Sequence, residues 1–160
     1  MTVEIDETYF SKRKNQRGRI LPEQWVFGGI CRESKEVFLF AVPNRKEETL
    51  LECIKDKIKP NTTIISDCFA SYKNIAKLPG FNYKHKTVNH SQNFVDPVTY
   101  AHTQTIESTW FLLKLRNKKH CGTHRHMLDS YLCEFVWRKK FQGQDLFKCM
   151  LKCISEFKHV

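Results

Sequence analysis

No stretch of this 160-residue chain approaches the roughly 18 consecutive apolar residues that a bilayer-spanning helix requires. The opening Met-Thr-Val-Glu-Ile-Asp has the pattern of neither a signal peptide nor an amphipathic transit peptide. Acidic residues are in short supply, 17 against 27 Lys plus Arg, so the formal net charge is +10 and a polyanion is the leading class of partner. Cys-x-x-Cys pairs are absent, and the seven cysteines are an odd number, which argues against a secreted disulfide framework. Reduced thiols buried inside apolar patterns are expected instead, as in a cytosolic or nuclear protein. His120, Cys121, His124 and His126 crowd together, yet their spacing matches no ordinary zinc module. There is no internal repeat, low-complexity tract or Pro/Gly/Ser-rich linker, so residues 1–160 are expected to form one domain. What the chain does have is apolar content, 41% hydrophobic and 12% aromatic, enough to exclude intrinsic disorder.

Periodicity divides the chain. Residues 3–10 alternate polar and apolar, as a half-buried strand does, and 11–19 form a basic loop without periodicity. Residues 25–31 and 37–42 read as a hairpin around a short polar connection. Leu50, Leu51, Ile54 and Ile58 recur at helical spacing within 46–58, before Pro60-Asn61. Residues 62–66 are β-branched and nearly all apolar, as befits a buried strand. A short helix is expected over 69–77, a fifth strand over 82–88 and a polar loop over 89–100. Helices are expected over 102–118, with Ile106, Trp110, Leu113 and Leu115 packed, then over 123–141 and 145–157. This order fits a mixed α/β sheet with helices on both faces.

Three acids stand out by position. Asp6 lies mid-strand on the same alternating face as Glu4 and Thr8, and Asp67 ends the buried fourth strand. If those strands are parallel neighbours, the two carboxylates meet across a gap of about 5 Å, where a shared proton or a divalent cation relieves their repulsion. Glu107 lies on the helix over 102–118, with Lys114 two turns further along the same face. Each acid also has a plain structural role open to it: Asp67 as an N-cap, Asp6 as an edge-strand charge, Glu107 as a solvated helix residue.

Successive motifs carry a resemblance: Val3-Glu-Ile-Asp-Glu-Thr-Tyr-Phe10, Ile65-Ser-Asp-Cys-Phe-Ala-Ser-Tyr72, Val88-Asn-His-Ser91, Phe94-Val-Asp-Pro97, His102-Thr-Gln-Thr-Ile-Glu-Ser-Thr-Trp110, Cys121-Gly-Thr123 and Tyr131-Leu-Cys-Glu-Phe-Val-Trp-Arg138. Together, in order and over essentially the whole chain, they resemble the Merlin-type DDE transposases and their bacterial insertion-sequence relatives with ISXO2-like transposase domains. The resemblance implies a ribonuclease H-like fold and a metal-binding catalytic triad of Asp6, Asp67 and Glu107, with Lys114 as the basic residue after the third acid. Some relatives carry Asn in place of that acid; this chain keeps Glu107. Relatives usually have a DNA-recognition region before the first catalytic strand, so a chain beginning near that strand is expected to be a catalytic domain, a truncated copy or a fragment.

The implied chemistry is phosphodiester hydrolysis followed by strand transfer with two Mg²⁺ or Mn²⁺ ions, which activate a water and stabilise the leaving oxygen. Asp6 would bridge the ions, with Asp67 and Glu107 each holding one. Double-stranded DNA, as transposon ends and target, is the implied partner, and a homodimer would bring two ends together. DNA contacts are expected from Lys12, Arg13, Lys14, His90, Lys114, Arg116, Lys118 and Lys119. Trp110 and Trp137 are expected to pack the core rather than stack on bases. The competing readings are a catalytically inactive or co-opted nucleic-acid-binding module of the same fold, and a nuclease that cuts without joining. The compartment would be the nucleus in a eukaryotic host and the cytoplasm otherwise.

Overall fold

In a computed structural model of the chain, residues 1–10, 24–89, 95–97, 100–120 and 124–157 are described. The elements are β1 (Thr2–Tyr9), β2 (Trp25–Cys31), β3 (Val37–Val42), α1 (Glu47–Lys57), β4 (Thr63–Asp67), β5 (Lys84–Val88), α2 (Gln104–Lys119), α3 (Leu128–Lys140) and α4 (Leu146–Glu156). The five strands form one mixed sheet in the order β3-β2-β1-β4-β5. β2 is antiparallel to both β1 and β3, while β4 runs parallel to β1 on one side and β5 on the other.

The period of two along β1 sorts its side chains between two cores. Val3 and Ile5 join Leu50 and Ile54 of α1, Ile64 of β4, and Tyr72 and Ile75. On the opposite face, Val26, Ile30 and Leu39 pack against Ile106, Trp110 and Leu113 of α2 and Leu128, Leu132 and Phe135 of α3. The sheet is therefore covered on both faces, the hairpin and the order of elements stand as expected, and the first and fourth strands are parallel neighbours.

Four expectations need correction. Residues 69–77 are not an α-helix but two 3₁₀ turns, Ala70–Tyr72 and Ile75–Lys77. Each turn delivers one buried residue, Tyr72 and Ile75, to the core under α1. The helix expected from 123 begins at Leu128, after a 3₁₀ turn over Arg125–Met127. Leu115 is exposed; on α2 the buried stripe is Ile106, Thr109, Trp110 and Leu113. The thiols are not uniformly buried: Cys31 is, but Cys68, Cys133 and Cys153 are exposed, because strand β2 faces a core while the later cysteines lie at a strand end and on outer helix faces. Cys121 lies outside the described residues.

Candidate active site

The site begins with a register. β1 and β4 pair in parallel as Thr2↔Thr63, Val3↔Ile64 and Glu4↔Ile65. Continued two residues past its last pair, this register leads to Asp6 and Asp67 at the carboxyl ends of neighbouring strands, and the charge of Asp67 acts on the Asp6 carboxyl. Side-chain alternation puts both on the α2 face of the sheet, since Ile5 and Ile64 join the α1-side core and Asp6 and Asp67 stand one and three residues beyond them. Ligands of open α/β sheets gather at this end.

Asp6 is half-buried, and its Oδ2 accepts a 2.9 Å hydrogen bond from Trp110 Nε1. Burial above all, then the negative charges of Glu7 and Asp67, push its carboxyl up to about 7. The Asp67 carboxylate accepts from Phe69 N at 2.9 Å, so the turn-capping role open to it in the sequence is filled at the same time. A half-buried carboxyl held up by neighbouring negative charge is a place where a cation gains what a proton gains, and paired carboxylate oxygens suit a hard divalent ion. Asp6 and Asp67 fit such an ion. Glu107 does not yet join them: it is exposed on α2, its Oε1 accepts from Thr103 Oγ1 at 2.9 Å, and no trio of potential ligands is gathered among the described residues.

Two β1 residues fix α2 against the site. Glu4, fully buried, accepts from Thr105 N (2.9 Å), Ile106 N (3.0 Å) and Thr105 Oγ1 (2.8 Å), so a strand carboxylate caps the helix N-terminus, where the helix dipole favours negative charge. Arg32 Nε meets Glu4 at 2.7 Å, and its Nη2 donates to the His102 carbonyl at 2.6 Å. Trp110 is the second fixing point, one turn after Glu107. Its indole reaches Asp6 because Gly28, the register partner of Asp6 on β2, has no side chain; a Cβ there would lie 2.8 Å from Trp110 Cη2 and 2.5 Å from Leu39 Cδ2. Sequence reasoning passed over Glu4, Arg32 and Gly28. The one available signal was an acid at an inward position of an alternating strand.

On the α1 face of the same strand end lies a second cluster. The Glu7 carboxylate accepts from the Tyr72 hydroxyl and, at 3.3 Å, from Arg45 Nη1. Burial pushes both the Glu7 carboxyl and the Tyr72 hydroxyl up, and the charge of Asp67 adds to both shifts.

The expected DNA-contacting residues divide. Lys114, Lys118 and Lys119 are exposed on α2, and Lys119 stands about 18 Å along the helix from Glu107. Arg116 is drawn into an ion pair with Glu134 at 2.5 Å, and Glu134 also holds Arg138 at 2.9 Å. Lys12, Arg13, Lys14 and His90 lie outside the described residues. Trp137 is half-buried against Phe141, with ring centroids 5.1 Å apart. Two grooves of about 1020 and 410 Å³ lie among the described residues, and neither is lined by Asp6, Asp67 or Glu107.

Residues 2–140 match the family described as the ISXO2-like transposase domain. A transposase-like protein of Haemophilus influenzae is 31% identical over 103 residues, which span 64% of this chain and 80% of that protein. Among solved structures, the catalytic core domain of BIV integrase superposes with a TM-score of 0.60 at 14% identity, covering 96% of this chain and 95% of that one. The HTLV-2 integrase catalytic core domain, determined in complex with magnesium in a dimeric form, gives 0.59 at 15% identity, covering 90% and 87%. The fold shared with these cores is ribonuclease H-like.

Proposed function

The chain belongs to the ISXO2-like transposase domain family, and from that premise we propose that it is a DNA transposase catalytic domain, cutting phosphodiester bonds at transposon ends and joining the freed 3′-hydroxyl to target DNA. The observation that carries this reading is that Asp6 and Asp67 end two paired parallel strands and interact electrostatically, with α2 tied to Asp6 through Trp110. Asp6 and Asp67 would hold Mg²⁺ or Mn²⁺ through carboxylate oxygens, the Asp6 carboxyl being ionised in that state. Glu107, one helical turn from the Trp110 anchor, would complete the set once its side chain leaves Thr103. When bound, the metal supplies an acidified water and charge stabilisation for the leaving oxygen. Trp110 keeps the Asp6 carboxylate aimed, and Lys114 contacts the DNA backbone beside the reacting bond. Double-stranded DNA is the substrate, bound largely through its phosphates. Two copies act together through α4, whose Phe147, Leu151 and Ile154, with the C-capping Phe157, are 51–70% exposed; the HTLV-2 core, of the same fold, is described as dimeric.

The direct test is cleavage and joining of terminal-repeat DNA in Mn²⁺, with Asp67→Ala beside the parent. Loss of both steps in the variant is expected; equal activity removes Asp67 from the mechanism. The exposed position of Glu107 favours one rival, an inactive DNA-binding module of the same fold. That rival binds DNA with salt sensitivity yet indifferently to divalent ions, and calorimetric Mn²⁺ titration of the parent and Asp67→Ala separates the two.

A further inference from the structure

We propose that Arg45, held between the Trp25 and Phe69 rings at the carboxyl end of the sheet, binds a backbone phosphate of the nucleic-acid strand that enters the Asp6–Asp67 site. This rests on the nucleic-acid reading above and adds a contact on the opposite face of the sheet from α2.

Arg45 sits in the connection between β3 and α1. Its guanidinium carbon stands 3.9 Å from the Trp25 ring centroid and 4.9 Å from that of Phe69. Its own carbonyl accepts from Ser71 Oγ at 2.8 Å, so backbone and head group are both fixed. The side chain is nevertheless 40% exposed. Glu7 engages one terminal nitrogen at 3.3 Å, a long contact, and shares its carboxylate with the Tyr72 hydroxyl. The other guanidinium N–H groups meet no acceptor among the described residues. Rings that strip water from the guanidinium faces leave its edge as the place for an acceptor, and the planar fork of Arg matches a phosphate in two-point fashion.

Position supplies the rest. Phe69 follows Asp67 by two residues and donates its backbone N–H to that carboxylate, while Glu7 adjoins Asp6 in β1. Arg45 is therefore bracketed by the neighbours of both acids. A strand whose reacting phosphate lies on Asp6 and Asp67 carries its adjoining phosphates across this end of the sheet. A purely internal role, neutralising Glu7, requires neither the exposed edge nor the unpaired N–H groups.

The test is metal-free binding of a fluorescein-labelled duplex to the full chain, followed by anisotropy across a NaCl series. Arg45→Gln is expected to weaken binding several-fold and to reduce the log–log salt slope by about 0.9, the signature of one lost phosphate contact. Lys57→Gln, the same charge change at the far end of α1, is expected to leave the slope unchanged. Equal slopes for Arg45→Gln and the parent, or an equal loss in Lys57→Gln, overturn the proposal. Should Arg45→Gln fail to fold, the parent decides: phenylglyoxal modification mapped by mass spectrometry is expected to spare Arg45 when duplex is bound, and equal modification with and without duplex overturns it. A parent that binds duplex through Arg45 but never cuts it sinks the transposase reading alone; a parent that binds no duplex sinks both.

Discussion

Asp6 carries the sharpest residue-scale consequence. Its carboxyl titrates near 7 in the folded chain against an ordinary 3.8, so folding retains a proton there between those values. Stability contributed by this group is full below about pH 4 and is lost as pH rises through 7. Asp6→Asn keeps the size and an oxygen for Trp110 while removing the charge. In the absence of metal it should therefore be more stable than the parent at pH 8, by about 4 kcal/mol, with the difference vanishing near pH 4; urea titrations at the two pH values measure it. No gain at pH 8 would mean that Asp6 is solvated and uncoupled. On the proposed reading, the same proton would compete with a metal ion. Mn²⁺ affinity of the parent, read by calorimetry, is expected to increase steeply from pH 6 to pH 8, and a flat profile would separate Asp6 from metal binding.

At the scale of elements, α2 matters because it is where β1 reaches across to the third acid. Glu4 caps its first turn and Trp110 anchors its middle, so β1 fixes both its height and its rotation. Removing the Glu4 carboxylate strands Arg32 and two helix N–H groups, and Glu4→Ala is expected to cost 3 kcal/mol or more, roughly the penalty for breaking a buried ion pair. Denaturant midpoints provide the check; a loss below about 1 kcal/mol would make Glu4 incidental. Trp110→Phe keeps most of the packing but leaves Asp6 without its donor. Cleavage is expected to fall roughly 10–100-fold, with a smaller change in DNA affinity, as for partners that orient a metal ligand. Gly28→Ala is expected to have a related effect by a different route, displacing the indole by steric contact.

At the scale of the whole molecule, charge and the uncovered helix dominate. With a net charge of +10, the proposed duplex binding is expected to fall steeply with salt. The α4 residues Phe147, Leu151 and Ile154 are apolar and solvent-facing, although Asp145 caps the helix well, accepting from Phe147 N at 3.0 Å and Lys148 N at 3.2 Å. A self-associating chain is thus expected to sediment as a dimer, and Leu151→Lys with Ile154→Lys to shift it toward monomer without loss of helicity. A parent that sediments as a monomer at micromolar concentration removes α4 from self-association.

Much of this architecture is written in local pattern. The alternation in β1, the apolar run of β4 and the helical spacing of Leu50 and Ile54 depend only on neighbours along the chain, so strands, helices and the nomination of Asp6, Asp67 and Glu107 could be read directly. Packing alone decided the rest. Whether residues 69–77 coil as α or 3₁₀ depended on where Tyr72 and Ile75 were needed, and whether Leu115 was buried depended on how α2 rolled against the sheet. Glu4 as a cap, Gly28 as room for an indole and Arg45 between two rings join residues from β1, β2, the β3–α1 connection and α2. Such contacts form only once the register of β1 on β4 brings distant segments together, and no periodicity in the chain encodes which partner a buried charge will find.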